Sequence, residues 1–198
     1  MVYFNADGNE SSMCGNGGRC ITAFAKFLGV ITSEATFEAI DGIHKAIIEN
    51  ELVHLHMQDV TRIEKHKTHV FLNTGSPHHV QMEHQLDDLD VKTVGRQIRC
   101  GEPYNETGSN VNFVSKNSDD HFSVRTYERG VEDETYSCGT GVTAVAIAMH
   151  YIGETKHNEI ALQTEGGVLK VAFEKHDETY KNIWLIGPAT QVFKGIIS

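Results

Sequence analysis

The 198-residue sequence has little of what several protein classes require. Its four cysteines are too few to hold a fold of this size together with disulfides, so we expect reduced thiols in a cytoplasmic protein. No apolar run approaches the roughly 18 residues that a membrane span needs. With 17 Lys and Arg against 27 Asp and Glu, the formal net charge is −10, and such a chain repels a phosphate backbone. These shortages argue against disulfide scaffolds, membrane proteins and nucleic-acid-binding proteins.

What the sequence does contain is an internal repeat around two cysteines. The motif Cys-Gly-polar-Gly begins at Cys14 and again at Cys138, and a Glu precedes each Cys by four residues. In both copies a Gly follows the Cys by 15 residues, and an acidic-Gly pair ends 28 residues after it. All these matches share one offset of 124 residues, which predicts duplication of one structural unit.

Apolar patterning around the repeat predicts an α/β (α+β) fold. Residues 21–28 and 142–152 are apolar on nearly every face, which predicts two helices buried on all sides, with Gly29 and Gly153 as their stops. Strands are expected at residues 44–48, 51–57, 69–72, 123–127, 168–173 and 182–186. We therefore expect two pseudo-symmetric units, each with mainly antiparallel strands wrapped around a central helix. The expected domains are residues 1–58 together with 188–198, and residues 59–187.

The repeated motif has a chemical meaning at the start of a helix. A helix N-terminus offers unpaired N–H groups and about half a positive charge, so a thiol there is expected to have a lowered pKa. The same N–H groups can hold a carboxylate, which the glycines allow to approach the backbone closely. Two such thiols facing each other across a cleft suit a two-base racemase, in which one thiolate removes a proton and the opposite thiol returns one.

Other interpretations of the cysteines carry less weight. Cys20 and Cys100 lack the motif, and an unpaired Cys is usually an inert small apolar residue. A bond between Cys14 and Cys138 is better understood as an inactivating oxidation than as a structural disulfide. No Cys or His spacing in the chain matches a zinc motif, so no metal site is expected. The glycine-rich segments are not phosphate loops, because no Gly-Lys-Ser/Thr follows them.

Four segments resemble the diaminopimelate epimerase family. They are NADGNESSMCGNGGRC, GSPHHV, SNVNFV and YERGVEDETYSCGTG, and the likeness extends to GPATQVFKG near the C-terminus. Proline racemase relatives share Cys-Gly-x-Gly elements but typically lack the Tyr-Glu-Arg-Gly segment. The resemblance implies interconversion of LL- and meso-diaminopimelate, a step of lysine and peptidoglycan precursor synthesis, with no cofactor or metal. A homodimer is usual in the family.

The resemblance also implies residue roles. Cys14 would be the proton donor and Cys138 the acceptor, with the roles exchanged in the reverse direction. Backbone N–H groups at the two helix starts, with the Thr hydroxyl, would bind the carboxylate at the reacting centre, at Gly15, Asn16, Gly139 and Thr140. The remaining substrate contacts implied are Asn5, Ser76, Asn110, Glu128 and Arg129. His78 and Glu128 match residues that tune the thiols.

The sequence departs from the family in two places. Ser76 stands in Gly-Ser-Pro-His where many members have Asn, so a shorter side chain faces the substrate. Family members also carry about 60 further residues before the first motif, so the chain is expected to begin inside the first unit, which would be incomplete. Two alternatives therefore stay open: a proline or hydroxyproline racemase-like enzyme, and an inactive fragment of the epimerase.

Overall fold

The computed structural model describes residues 1–4, 8, 10 and 13–196, and within them lie three helices and twelve strands. The helices are α1 (Gly15–Phe27), α2 (Val91–Cys100) and α3 (Gly139–Ile152). The strands are β1 (Glu34–Ala39), β2 (Gly42–Glu49), β3 (Leu52–His56), β4 (Ile63–Lys65), β5 (Val70–Asn73), β6 (Pro77–Met82), β7 (Asn110–Lys116), β8 (His121–Glu128), β9 (Asp133–Thr135), β10 (Glu159–Thr164), β11 (Gly167–His176) and β12 (Thr179–Pro188). Every strand expected from the sequence is present. Among the described residues, no helix is long and apolar enough to cross a membrane.

The strands form one mixed sheet in the order β1-β2-β3-β12-β11-β10-β8-β7-β6-β5-β4, with β9 paired to β8. Two pairings are parallel, β6 with β7 and β8 with β10, and the others are antiparallel. This mostly antiparallel sheet with three helices confirms the expected α+β class.

The element order also reveals the repeat. After Cys14 come α1, β1, a turn, β2 and β3, and after Cys138 come α3, β10, a turn, β11 and β12. In the sheet these strands are arranged symmetrically about the antiparallel β3–β12 pair, where Leu55 faces Leu185. The acidic-Gly pairs of the sequence repeat lie at the two equivalent turns. The 124-residue offset therefore corresponds to a duplicated helix-plus-three-strand unit, whereas the proposed domain boundaries stay a prediction.

Helix α3 forms the centre of the main core. Every residue from Gly139 to Met149 is buried, because strands β5 to β8 and β10 to β12 contact the helix from around its circumference. The helix ends at Gly153, whose φ of +86° is the left-handed conformation typical of a glycine cap. The prediction of a helix buried on all sides is confirmed for this copy.

The same prediction is wrong for α1. Its buried side consists of small and polar residues such as Gly18 and Thr22, and it packs on β2, β3 and β12. Phe24 is 57 % exposed and Phe27 51 % exposed, so the aromatic side of the helix faces outward. Cys20, expected to be an inert small apolar residue of this helix, is also exposed. A helix that strands contact on only one side buries only the face that meets them.

Candidate active site

The two motif cysteines occupy the same position on two helices. Cys14 is the residue immediately before α1, and Cys138 is the residue immediately before α3, and both have an extended backbone. A Cβ atom placed on Gly139 would lie 2.9 Å from the Cα of Gly15 and 3.0 Å from the Cδ2 of Leu185. Since real Cβ atoms do not come so close to a backbone, only glycine lets the two helix starts touch. This contact directs both thiols into one space.

That space is a cavity of about 480 Å³, a size suited to a small molecule. All the predicted site residues except Asn5 and His78 line it, namely Cys14, Gly15, Asn16, Ser76, Asn110, Glu128, Arg129, Cys138, Gly139 and Thr140. Asn5 lies outside the described residues. His78 is fully buried behind the cavity wall. Four segments that are distant in sequence thus meet at one site.

The starts of the two helices present four unsatisfied backbone donors to this cavity. The N–H groups of Gly15, Asn16, Gly139 and Thr140 have no hydrogen-bond partner within the part of the chain that the structure describes. The N–H of the next residue in α1, Gly17, donates to Cys14 Sγ at 3.4 Å. Free N–H groups at a helix start attract an anion, and here two helices contribute them from opposite sides.

Asn16 connects the two halves of the site. Its Nδ2 donates to the backbone carbonyl of Ser137 at 2.9 Å, and its Oδ1 accepts from Arg19 Nη2 at 2.9 Å. Arg19 is only 6 % exposed, and its Nη1 also donates to the Gly15 carbonyl. The side chain of Asn16 is therefore used to fix the helix start against the other unit, which leaves its backbone N–H as the group that faces a ligand.

Cys138 does not have the lowered pKa expected for a thiol at a helix start. Burial of its side chain and the negative charge of Glu128 raise the pKa of Cys138 to about 12. The N–H of Gly141 and the hydroxyl of Thr140, 3.5 Å from Sγ, act in the opposite direction but are outweighed. The expectation is wrong for this residue because removal of water penalises a thiolate more than the helix start stabilises it.

A chain of polar side chains supports the Cys138 thiol from behind. Thr126 donates to Asn112 Oδ1 at 3.0 Å, and Asn112 Nδ2 lies 3.2 Å from His78 Nδ1. On the other side of the ring, His78 Nε2 lies 3.0 Å from the Thr140 hydroxyl. Burial and then the charge of Arg129 lower the pKa of His78 to about 3, so the ring is neutral. Since Asn112 donates to Nδ1, the proton is assigned to Nε2, and His78 donates to Thr140, whose own proton is then directed to sulfur.

The far end of the cavity is organised by Asn110. Its Nδ2 donates to Ser76 Oγ at 2.8 Å and to the Pro77 carbonyl at 2.9 Å, while its Oδ1 accepts from the Arg129 backbone N–H at 2.9 Å. The Ser that replaces the usual Asn is therefore 7 % exposed and holds Asn110 in place. Burial raises the pKa of Glu128, which precedes Arg129. A hydrogen bond from the Thr135 side chain lowers this pKa but does not outweigh the burial.

Several residues that line the cavity were not found from the sequence. They are Tyr3, Glu10, Met13, Arg99, Gly130, Val131, Thr135 and Ser137. Burial, followed by the adjacent Cys14, raises the pKa of Tyr3, so its hydroxyl stays protonated beside that thiol. Ser137 could have been suspected because it directly precedes the second motif. Arg99 lies on a helix with no motif, and no sequence signal places it here.

Comparisons with known proteins agree with the resemblance. The sequence model of the family described as "Diaminopimelate epimerase" matches residues 70–192. The chain is 54% identical to diaminopimelate epimerase of Flavobacterium psychrophilum, over all of this chain and 77% of that protein. It is 40% identical to the enzyme of that name from a Hydrogenobaculum species, over all of this chain and 74% of the relative.

Solved structures share the fold at much lower identity. A phenazine biosynthesis protein of the PhzF family from Bacillus anthracis aligns with a TM-score of 0.74 and 15% identity, over 95% of this chain and 76% of that one. A hydroxyproline epimerase from Agrobacterium vitis aligns with a TM-score of 0.68 and 16% identity, over 94% of this chain and 66% of that one. These likenesses concern the fold alone, whereas the two named diaminopimelate epimerases match in sequence over all of this chain. The chain belongs to the diaminopimelate epimerase family.

Proposed function

We propose that this protein interconverts LL- and meso-diaminopimelate by proton transfer between Cys14, Cys138 and the substrate α-carbon. The observation that carries the proposal is that two cysteines, each at the start of a helix, line one cavity because Gly15 and Gly139 let the helices touch. One thiolate removes the α-proton, and the thiol on the other face delivers a proton to the carbanion. The configuration at the α-carbon is inverted. The sulfur that began as a thiolate ends as a thiol, and the opposite thiol ends as a thiolate.

The unsatisfied N–H groups at the helix starts supply the stabilisation that this reaction needs. Proton removal from an α-carbon places negative charge on the adjoining carboxylate, and fixed N–H donors aimed at that charge lower the barrier. The N–H groups of Gly15, Asn16, Gly139 and Thr140 take this role. Substrate contacts farther along the cavity come from Asn5, Ser76, Asn110, Glu128 and Arg129, as the family resemblance implies.

The protonation state of Cys138 bears on the direction of transfer. Its pKa of about 12 keeps the thiol protonated in the unliganded protein, ready to donate. The acceptor role that the resemblance gives it requires bound substrate to lower this pKa, and the α-ammonium group, a positive charge beside sulfur, acts in that direction. His78 and Thr140 support the same thiolate by the hydrogen bonds described above.

The mechanism is tested by removing one thiol at a time. Cys14→Ala and Cys138→Ala should each lose at least about 1000-fold in epimerisation, because one face of the carbon then has no proton donor or acceptor. Each variant keeps one thiol, so it should exchange the α-proton in deuterium oxide for no more than one stereoisomer. The isomer that Cys14→Ala still exchanges should be the opposite of the one that Cys138→Ala exchanges. Cys20→Ala and Cys100→Ala, at exposed positions outside the cavity, are the matched controls.

The same exchange assay separates the alternatives. Either cysteine variant retaining near-parental epimerisation would overturn the two-thiol mechanism. Exchange with proline or 4-hydroxyproline in place of diaminopimelate would favour a racemase-like enzyme, and no exchange with any of these amino acids would favour an inactive fragment. Assembly as a homodimer and a cytoplasmic location complete the proposal; they come from the family resemblance and are tested by light scattering and by cell fractionation.

A further inference from the structure

Arg99 reaches the active-site cavity from helix α2. Its side chain is 17 % exposed, and its Nε donates to Glu132 Oε1 at 2.9 Å. Neither Nη atom has a hydrogen-bond partner among the described residues, and the residue lines the cavity. The guanidinium packs on Gly108, where a Cβ atom would lie 2.4 Å from Nη1. The side chain is thus fixed through one nitrogen, with the other two left for a ligand.

A second guanidinium shares this end of the cavity. The backbone N–H of Arg129 is held by Asn110, and its Nη1 donates to the Thr107 carbonyl at 3.0 Å. Burial and then the positive charge of Arg99 lower the pKa of Arg129, which places the two cations within each other's field. Glu132 partly offsets them but is already bound to Arg99. Two positive charges beside one cavity repel each other, and an anion bound between them offsets this repulsion.

We infer that Arg99 and Arg129 together clamp the distal carboxylate of the substrate, and that Arg99 makes the enzyme selective for amino acids with two carboxylates. The inference rests on the proposed function. Diaminopimelate carries a carboxylate at each end, and lysine differs from it only by lacking the distal one. A guanidinium binds a carboxylate through parallel N–H donors, so a site with two guanidinium groups discriminates against a ligand without that anion.

The competing explanation is that Arg99 only holds the loop that carries Arg129. Glu132 also accepts from the Gly130 backbone N–H at 3.0 Å and from the Tyr127 hydroxyl at 3.2 Å, so it anchors this loop through several donors. If Arg99 acts only through the loop, its loss has no further effect once Arg129 is gone. A direct contact, in contrast, still matters in that background, and a double-mutant cycle separates the two cases.

The experiment compares diaminopimelate with lysine. The kcat/KM for α-proton exchange in deuterium oxide with diaminopimelate, divided by the value with lysine, is measured for the parent and for Arg99→Gln. Calorimetry gives the Kd for lysine divided by the Kd for diaminopimelate. We expect both ratios to fall about 10- to 100-fold, as for loss of a charged hydrogen bond. Arg96→Gln removes the same charge from an exposed position of α2 outside the cavity, and it should leave both ratios unchanged.

The cycle is completed in the Arg129→Gln background. There Arg99→Gln should still lower the Kd ratio at least about fivefold, and an unchanged ratio would overturn the clamp in favour of the loop explanation. An unchanged ratio in the single variant would overturn it as well. Parental protein that binds diaminopimelate without exchanging its α-proton would contradict the proposed function instead, because the calorimetric ratio tests the clamp without catalysis. Parental protein that binds diaminopimelate no more tightly than lysine would overturn the clamp.

Discussion

In the unliganded protein Cys138 should react with iodoacetamide about three orders of magnitude more slowly than an ordinary thiol at pH 8. The thiolate is the reactive form, and burial together with Glu128 raises the pKa of Cys138 to about 12. About one molecule in ten thousand then carries the thiolate at pH 8, against about a quarter for a free thiol of pKa about 8.5. The rate should also rise tenfold per pH unit from pH 7 to 9.5.

The assay is a time course of alkylation, quenched and read by peptide mass spectrometry. Exposed Cys100 in the same sample reports the activity of the reagent. Poor access to Cys138, a residue that is 8 % exposed, lowers the rate by the same factor at every pH. The slope with pH therefore isolates the pKa from steric protection.

Replacing Glu128 by Gln tests the cause. The variant keeps Cys138 buried but removes the negative charge of Glu128, which after burial contributes most to the raised pKa. The pKa of Cys138 therefore falls, and alkylation at pH 8 becomes faster. A rate that levels off below pH 9 in the parent would refute the raised pKa. An identical rate in Glu128→Gln would show that this carboxylate does not act on the thiol.

Two further predictions concern hydrogen bonds to buried histidines, one in the active site and one in the fold. Thr140→Val removes the hydroxyl that lies 3.0 Å from the His78 ring, so kcat should fall about tenfold or more while Thr140→Ser retains most activity; equal loss in both variants would contradict the hydrogen-bond role. Both ring nitrogens of buried His44 face acceptors, Asp41 Oδ1 at 2.8 Å and the His56 carbonyl at 2.9 Å, and although burial lowers the pKa of His44, these contacts raise it overall. Because the pKa of His44 is higher in the folded state than in the unfolded state, its protonated form stabilises the fold at pH values below the unfolded-state pKa. This stabilisation is lost as the pH rises through the folded-state pKa. Asp41→Asn should therefore cost about 1–2 kcal/mol of unfolding free energy at pH 6 and less at pH 9. Urea unfolding measures this, and a cost that grows with pH would contradict it.

Local sequence patterns predicted the features that depend on local structure. The offset between Cys14 and Cys138 predicted two equivalent helix starts, and the symmetric arrangement of strands about β3 and β12 agrees with it. Turn residues and alternation located six of the twelve strands, because a strand or helix is partly encoded by a few neighbouring residues. The motifs around the cysteines predicted the family, which the comparisons confirm.

Other features depend on which segments pack together, and only the tertiary structure decided them. Helix α1 is as apolar as expected, but strands contact it on one side alone, so Phe24 faces outward. A helix start should lower the pKa of Cys138, yet the surrounding strands remove water and bring Glu128 near, and burial prevails. Arg99 enters the cavity because its helix packs on β7 and β8. Sequence determined which chemical groups begin the helices, whereas their solvent exposure, charge state and partners follow from contacts between residues far apart in the chain.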